Sequence, residues 1–373
     1  MTDDFATALR RALQKTCASD PGAATSAIQA ALGGRRASTA RPDADCGPCA
    51  AFAANKHGGG AARGGGGSGG MFRNLPGMET FSSLPGMGSL PGLQGLSGST
   101  SAASVPDGAR VEMRRHSCSA GTRDMRLFIP SPREGGPVGL VIMLHGCTQS
   151  PEDFALGTRM DLAAESAGFV VAYPGQTGAH NMQSCWNWFR PEDQTRGRGE
   201  PEIIASLAAG LAEEFDLAGR VHVSGLSAGG AMAAVMVETY PDLFAAVGIH
   251  SGLPAGSAHD IPSAFAAMRG QGGQGCLPRR PAIVFHGTAD STVSARNARM
   301  LVPGDGVETR HEGSNRQWSR LTTSGGSELW LVEGAGHAWF GGDPAGSYAD
   351  PAGPDASTEM LRFFQEVQTG LSG

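Results

Sequence analysis

Residues Gly225-Leu226-Ser227-Ala228-Gly229 form a G-x-S-x-G pattern directly after the apolar run Val221-His222-Val223. A serine hydroxyl is a poor nucleophile at neutral pH. It needs a base within hydrogen-bond reach, and the base needs a carboxylate to orient it. A strand that turns sharply into a helix lifts the serine above the sheet edge, and the flanking glycines avoid the clash a Cβ would make there. The chain order expected after such a serine is an acid and then a histidine. Pro281-Ala282-Ile283-Val284-Phe285 reads as a buried strand, and the loop after it carries Asp290. Leu329-Trp330-Leu331-Val332 reads as another, followed by the glycine-flanked His337. Asp260 and Asp305 are rival acids, but neither directly follows a strong strand. His286 and His311 are rival bases; the first ends a strand and the second sits in a polar stretch expected to be a loop. Ser227, Asp290 and His337 are therefore the expected nucleophile, acid and base.

Acyl transfer also needs two N–H donors aimed at the developing oxyanion. Ala228 supplies one, as the residue after the nucleophile. Leu144-His145-Gly146-Cys147 follows the apolar run Leu140-Val141-Ile142-Met143 and places Cys147 to supply the other. The densest aromatic cluster is Ser184-Cys185-Trp186-Asn187-Trp188-Phe189, expected in a loop at the same sheet edge. It reads either as core packing or as an apolar wall for substrate. His145, Trp186, Trp188 and Trp339 are the expected substrate-contacting side chains. Neighbouring loops leave open a Cys147–Cys185 pair.

The elements needed to hold these residues are legible as short apolar strands alternating with helical stretches. Strands are expected at 111–115, 125–129, 140–144, 170–173, 221–224, 246–250, 282–285 and 328–332, and helices at 153–167, 202–215, 228–239 and 357–367. Continuous apolar runs fit strands covered by helices on both faces. The expected fold class is α/β: an α/β-hydrolase fold with a doubly wound, mostly parallel sheet whose first two strands form an antiparallel edge. Residues 105–373 would make this domain. Residues 1–33 carry apolar residues at helical spacing and read as an amphipathic hairpin. Residues 34–104 are rich in Gly and Pro, with three Leu-Pro-Gly pieces, and read as a disordered linker. Cys46-Gly47-Pro48-Cys49 lies in that linker with no strand before it, so it reads as a coincidence of spacing rather than a redox pair.

The net charge is −6 and the pI about 5.9, which argues against an electrostatic nucleic-acid binder. No run approaches the roughly 18–20 apolar residues of a membrane span. The N-terminus lacks a basic segment followed by an apolar one. Seven cysteines spread over 373 residues do not look like a secreted disulfide framework. A cytoplasmic location is the expectation. No cluster has the spacing of a metal site, and the chemistry needs no metal or organic cofactor.

Taken together, Leu144-His145-Gly146-Cys147-Thr148-Gln149-Ser150, Cys185-Trp186-Asn187-Trp188-Phe189, Gly225-Leu226-Ser227-Ala228-Gly229-Gly230, Tyr240-Pro241-Asp242-Leu243-Phe244 and Gly336-His337-Ala338-Trp339 resemble the poly(3-hydroxybutyrate) depolymerase family of esterases. The resemblance covers roughly 107–369. It implies an α/β-hydrolase fold and hydrolysis of short-chain polyester or oligoester bonds, with Ser227, Asp290 and His337 as triad and His145-Gly146-Cys147 at the oxyanion site. Two departures stand out. The sequence carries an N-terminal appendage where secreted members have a leader and a C-terminal polymer-binding module, which looks more like the intracellular branch acting on storage granules. Phe340 also replaces an expected small residue and would narrow or grease the site. Feruloyl and acetylxylan esterases share similar motifs on the same scaffold and are the nearest alternative. A granule-binding protein with an inert hydrolase domain is the other.

Overall fold

The computed structural model of the chain describes residues 105–313 and 315–370. The expected hairpin, the linker and the Cys46/Cys49 pair lie outside the described residues.

Ten strands make one sheet: β1 (Arg110–Cys118), β2 (Gly121–Ile129), β3 (Gly139–Leu144), β4 (Phe169–Pro174), β5 (Val221–Leu226), β6 (Ala246–His250), β7 (Ala282–Gly287), β8 (Gly306–Glu312), β9 (Gln317–Thr323) and β10 (Glu328–Val332). Their order is β1-β2-β4-β3-β5-β6-β7-β10-β9-β8. The strands from β4 to β10 run parallel, and antiparallel pairs flank them at both edges. The winding reverses between β3 and β5. In open α/β sheets, ligands bind at the carboxyl ends of strands beside such a reversal.

The alternation of side chains along β3 shows why its run is apolar throughout. Leu140, Ile142 and Leu144 enter one core cluster with Ile204 and Leu207 of α3 (Gly199–Glu214) and Met232 of α4 (Ala228–Thr239). Val141 and Met143 enter the other, with Phe154 of α1 (Pro151–Thr158), Met160 of α2 (Met160–Ala167) and Phe363 and Phe364 of α7 (Ala356–Thr369). A strand buried on both faces has no polar side to show.

Several expectations change. The single helix expected over 153–167 is two, broken where Arg159 adopts φ 54°. The Thr158 hydroxyl bonds the Phe154 carbonyl at 2.8 Å and accepts the Met160 N–H at 3.3 Å, competing with the helical ladder. The break brings the Gly157 carbonyl to the Asp343 N–H at 2.9 Å. His311 does not lie in a loop. It stands on β8 and stacks on Trp318, centroids 5.8 Å apart. The β8–β9 hairpin escaped detection because β8 is nearly all exposed and polar, without the alternation that marks a half-buried strand. Two short helices were also missed, α5 (Ile261–Met268) and α6 (Arg296–Leu301). Asp260, a rival acid, caps α5, its carboxylate accepting the Ser263 N–H at 2.8 Å.

Candidate active site

Ser227 joins β5 to α4 with φ 58° and ψ −118°. A non-glycine residue is held in this region only when its surroundings over-determine it. They do so here. The Ser227 N–H donates to the His250 carbonyl at 2.9 Å. A Cβ on Gly225 would lie 2.4 Å from the Gly229 carbonyl carbon, and one on Gly229 would lie 1.9 Å from the Leu144 carbonyl oxygen. The glycines of the motif thus let β3, the turn and the helix N-terminus come into contact.

Asp290 and His337 leave the ends of β7 and β10, which pair in parallel with Gly287 opposite Val332. The two loops press together: Ala289 N–H donates to the Ala335 carbonyl at 3.0 Å, and a Cβ on Gly287 would lie 2.2 Å from the same oxygen. His337 Nδ1–H donates to Asp290 Oδ2 at 2.7 Å. The other oxygen, Oδ1, accepts the N–H groups of Thr292 and Val293, each at 2.8 Å. His286 Nε2 lies 3.4 Å from Oδ2 and donates to the Val293 carbonyl at 2.8 Å. Burial alone would push the Asp290 carboxyl up, but the hydrogen bonds from His286 and His337 hold it well below the usual carboxylate range. Its contribution to stability is therefore present at neutral pH and is lost as pH falls below the ordinary value of 3.8.

With Nδ1 donating to Asp290, His337 keeps the Nε2 lone pair for a proton. No hydrogen bond joins Ser227 Oγ to His337 among the described residues, and such bonds are commonly long before substrate arrives. The two loops are nevertheless linked through His250. Its carbonyl holds the Ser227 N–H, its Nε2 accepts the Phe340 N–H at 3.2 Å, and its ring stacks on Trp339 at 4.9 Å.

The Gly146–Cys147 segment borders the serine, since a Cβ on Gly146 would be 3.7 Å from Ser227 Cβ. Gly146 N–H donates to Gln149 Oε1 at 2.9 Å, and Thr148 N–H to the Gln183 carbonyl at 2.7 Å. Between them, the Cys147 N–H has no acceptor among the described residues, and neither does that of Ala228. A disulfide joins Cys147 to Cys185.

The family model "Esterase PHB depolymerase" matches residues 124–304. Poly(3-hydroxyalkanoate) depolymerase C of Paucimonas lemoignei is 33% identical over 212 residues, 52% of this chain and 50% of that protein. The chain thus spans about half the length of that relative. Feruloyl esterase B of Neurospora crassa is 30% identical over 271 residues, which cover 64% of this chain and 87% of that one. The chain belongs to the PHB depolymerase family of esterases. Among solved structures, an acetyl xylan esterase from Aspergillus awamori superposes with a TM-score of 0.50 at 20% identity, over 65% of this chain and 94% of the other. That likeness shows the shared α/β fold.

The aromatic residues of this esterase are not placed as a substrate wall. Trp186 and His145 are fully buried, Trp339 is 1% exposed and Trp188 6%. Trp339 donates its indole N–H to Ser357 Oγ at 3.1 Å, and Trp186 lies in the core cluster shared with α3 and α4. Rings with so little accessible surface have almost nothing to offer a binding cleft. In these positions the rings pack the loops that carry Cys147 and His337. Phe340 likewise does not reach the site; it is fully buried, with its ring 4.5 Å from His250.

Sequence reasoning missed Tyr348. It is 43% exposed, its ring stands edge-on to His337 at 6.4 Å, and its hydroxyl is 3.4 Å from Thr148 Oγ1. It has φ 53° in a stretch of small and polar residues that carries no periodic signal. Ser347 beside it is tied to α1 through Asp153, N–H to Oδ1 at 2.9 Å.

Proposed function

We propose that this esterase hydrolyses the ester bonds of short-chain polyhydroxyalkanoate, or of its oligomers, through an acyl-enzyme on Ser227. The observation that carries the reading is the Asp290–His337 hydrogen bond at the same sheet edge as the Ser227 turn and two unengaged N–H groups. His337 Nε2 takes the Ser227 proton as Oγ attacks the ester carbonyl. The N–H groups of Cys147 and Ala228 receive the oxyanion. The carbonyl reforms as the alcohol leaves with the proton from His337. Water, deprotonated by the same nitrogen, then attacks the acyl-enzyme and releases the acid and the free serine. Asp290 holds the imidazole in the required tautomer and stabilises its charged form. Asp290→Asn is therefore expected to lower kcat by about 10⁴-fold with little change in fold, read by ester hydrolysis alongside circular dichroism.

The polymer is supported by the relative named a poly(3-hydroxyalkanoate) depolymerase. The match to feruloyl esterase B over most of that protein's length supports the alternative. Parallel assays separate them. Release of 3-hydroxybutyrate from amorphous polymer, with at most traces of ferulate or acetate from xylan, is the expected result. The opposite pattern would replace the polyester reading with the xylan one.

The proposed partner is a polymer granule or particle surface. No helix among the described residues is long and apolar enough to cross a membrane. The Cys147–Cys185 disulfide favours an oxidising compartment over the cytoplasm expected from the N-terminal sequence.

A further inference from the structure

Glu200, in the first turn of α3, is a carboxylate that the acyl-transfer chemistry does not use. It is 4% exposed. Its Oε2 accepts the Asn187 backbone N–H at 2.7 Å; its Oε1 accepts the Asn187 side-chain amide at 2.7 Å and the Gln176 side-chain amide. Arg123 of β2, equally buried, lies 3.6 Å away. A buried carboxylate is costly unless its lone pairs are filled, and a filled network holds one geometry.

The connections from Glu200 lead to the oxyanion segment by two routes. The Gln176 side chain also donates to the Cys185 carbonyl at 3.1 Å, and Cys185 is bonded through sulfur to Cys147. The Gln176 backbone N–H donates to His145 Nε2 at 3.0 Å, and His145 Nδ1–H donates to the Gly146 carbonyl at 2.8 Å. The first route ends on the Cys147 side chain and the second on the Gly146 carbonyl, which shares its peptide unit with the unengaged Cys147 N–H.

We propose that Glu200 is a positioning residue: its ionised carboxylate holds the Cys147 N–H, through Gln176, His145 and the disulfide, where the tetrahedral oxyanion forms. The inference rests on the acyl-transfer reading above. Three N–H groups converge on Glu200; the carboxylate accepts them with charge-assisted bonds, whereas the protonated acid accepts more weakly and adds an O–H that must find its own acceptor among donors.

The groups facing Glu200 are Arg123 from β2 and Asp193 from the 3₁₀ turn Pro191–Gln194, which accepts the Glu200 N–H at 2.9 Å. His145 faces it only through Gln176, and burial holds that imidazole below its usual range. Burial and then the Asp193 charge push the Glu200 carboxyl up to about 7, against the pull of Asn187 and Arg123. A carboxyl raised above its ordinary 4.5 contributes stability that is present below that value and lost as pH rises through about 7. The ionised form thus works against folding in the range where hydrolysis needs it, as functional carboxylates often do.

The test uses the full chain on p-nitrophenyl butyrate across the pH range around neutrality. In the wild-type protein the acid side of the kcat profile should show two ionisations, that of the base His337 and a second near the Glu200 value. Glu200→Gln should lower kcat roughly ten- to hundredfold and remove the second ionisation, with KM nearly unchanged. Inhibition by butylboronic acid, whose tetrahedral adduct uses the same N–H groups, should weaken in parallel with kcat. The wild-type profile needs no variant, so a Glu200→Gln protein that fails to fold still leaves a decisive measurement. A wild-type acid limb with a single ionisation overturns the proposal. So does a folded Glu200→Gln protein that loses thermal stability but keeps wild-type kcat and boronate affinity. A wild-type protein that does not hydrolyse the ester overturns the acyl-transfer reading, and this inference with it.

Discussion

Ser227→Ala is expected to lower kcat on p-nitrophenyl butyrate by about 10⁵–10⁶-fold while leaving the fold intact. Losing the nucleophile removes the acyl-enzyme route altogether. What remains is substrate binding and the N–H donors, which in serine hydrolases still give roughly 10³–10⁴-fold over water. The fold should survive because what holds the turn is backbone. The Ser227 N–H still meets the His250 carbonyl, and alanine tolerates φ 58° no worse than serine does. Equal thermal midpoints with activity near background would support the mechanism. A well-folded variant hydrolysing at the wild-type rate would sink it and place the reacting group elsewhere than Ser227.

Gly229→Ala should have the largest effect on stability, about 3 kcal/mol or more. The added Cβ would lie 1.9 Å from the Leu144 carbonyl oxygen and 2.6 Å from that of His145. Both are backbone atoms, and Leu144 is held in register against Gly225 by the β3–β5 pairing. Neither side can yield without parting β3 from α4. The displaced segment runs straight into Gly146–Cys147, so activity should fall together with stability. Gly210→Ala is the matched control. It lies within α3, a Cβ there meets nothing within 4 Å, and it should stabilise by roughly 0.5–1 kcal/mol. Denaturant unfolding of the two variants checks both directions. A Gly229→Ala protein as stable as wild type would show that the strand–helix contact is looser than described.

The turn at Ser227 could be read locally, because its constraint spans five residues and its glycines mark where side chains cannot fit. The strands β3, β5 and β7 could be read because burial on both faces requires continuous apolar runs. Asp290 and His337 could be placed because each follows such a run at the end where parallel strands present their loops, and the structure joins them at 2.7 Å. Where a signal needs periodicity and the element lacks it, reading failed. The exposed hairpin of β8 and β9 is one case. The helix break at Arg159 is another, since the Gly157 carbonyl there is met by the Asp343 N–H from far along the chain.

The aromatic loop shows the same divide at the site. Its composition suits a core and a binding wall equally, and only the packing of Trp186 and Trp339 into the interior decides between them. The Glu200 network is a further case. Gln176, Asn187 and Glu200 have no motif spacing, and their convergence appears only once the loops after β3 and β4 meet the start of α3. The sequence by itself determined the fold class, the family and the strand-end positions of Ser227, Asp290 and His337, because each of these depends on local turn geometry and burial pattern. Tertiary structure alone decided which loops touch, which rings are buried and which donors converge on Glu200. Those contacts join residues distant in the chain, and their energy depends on packing and desolvation that no local pattern encodes.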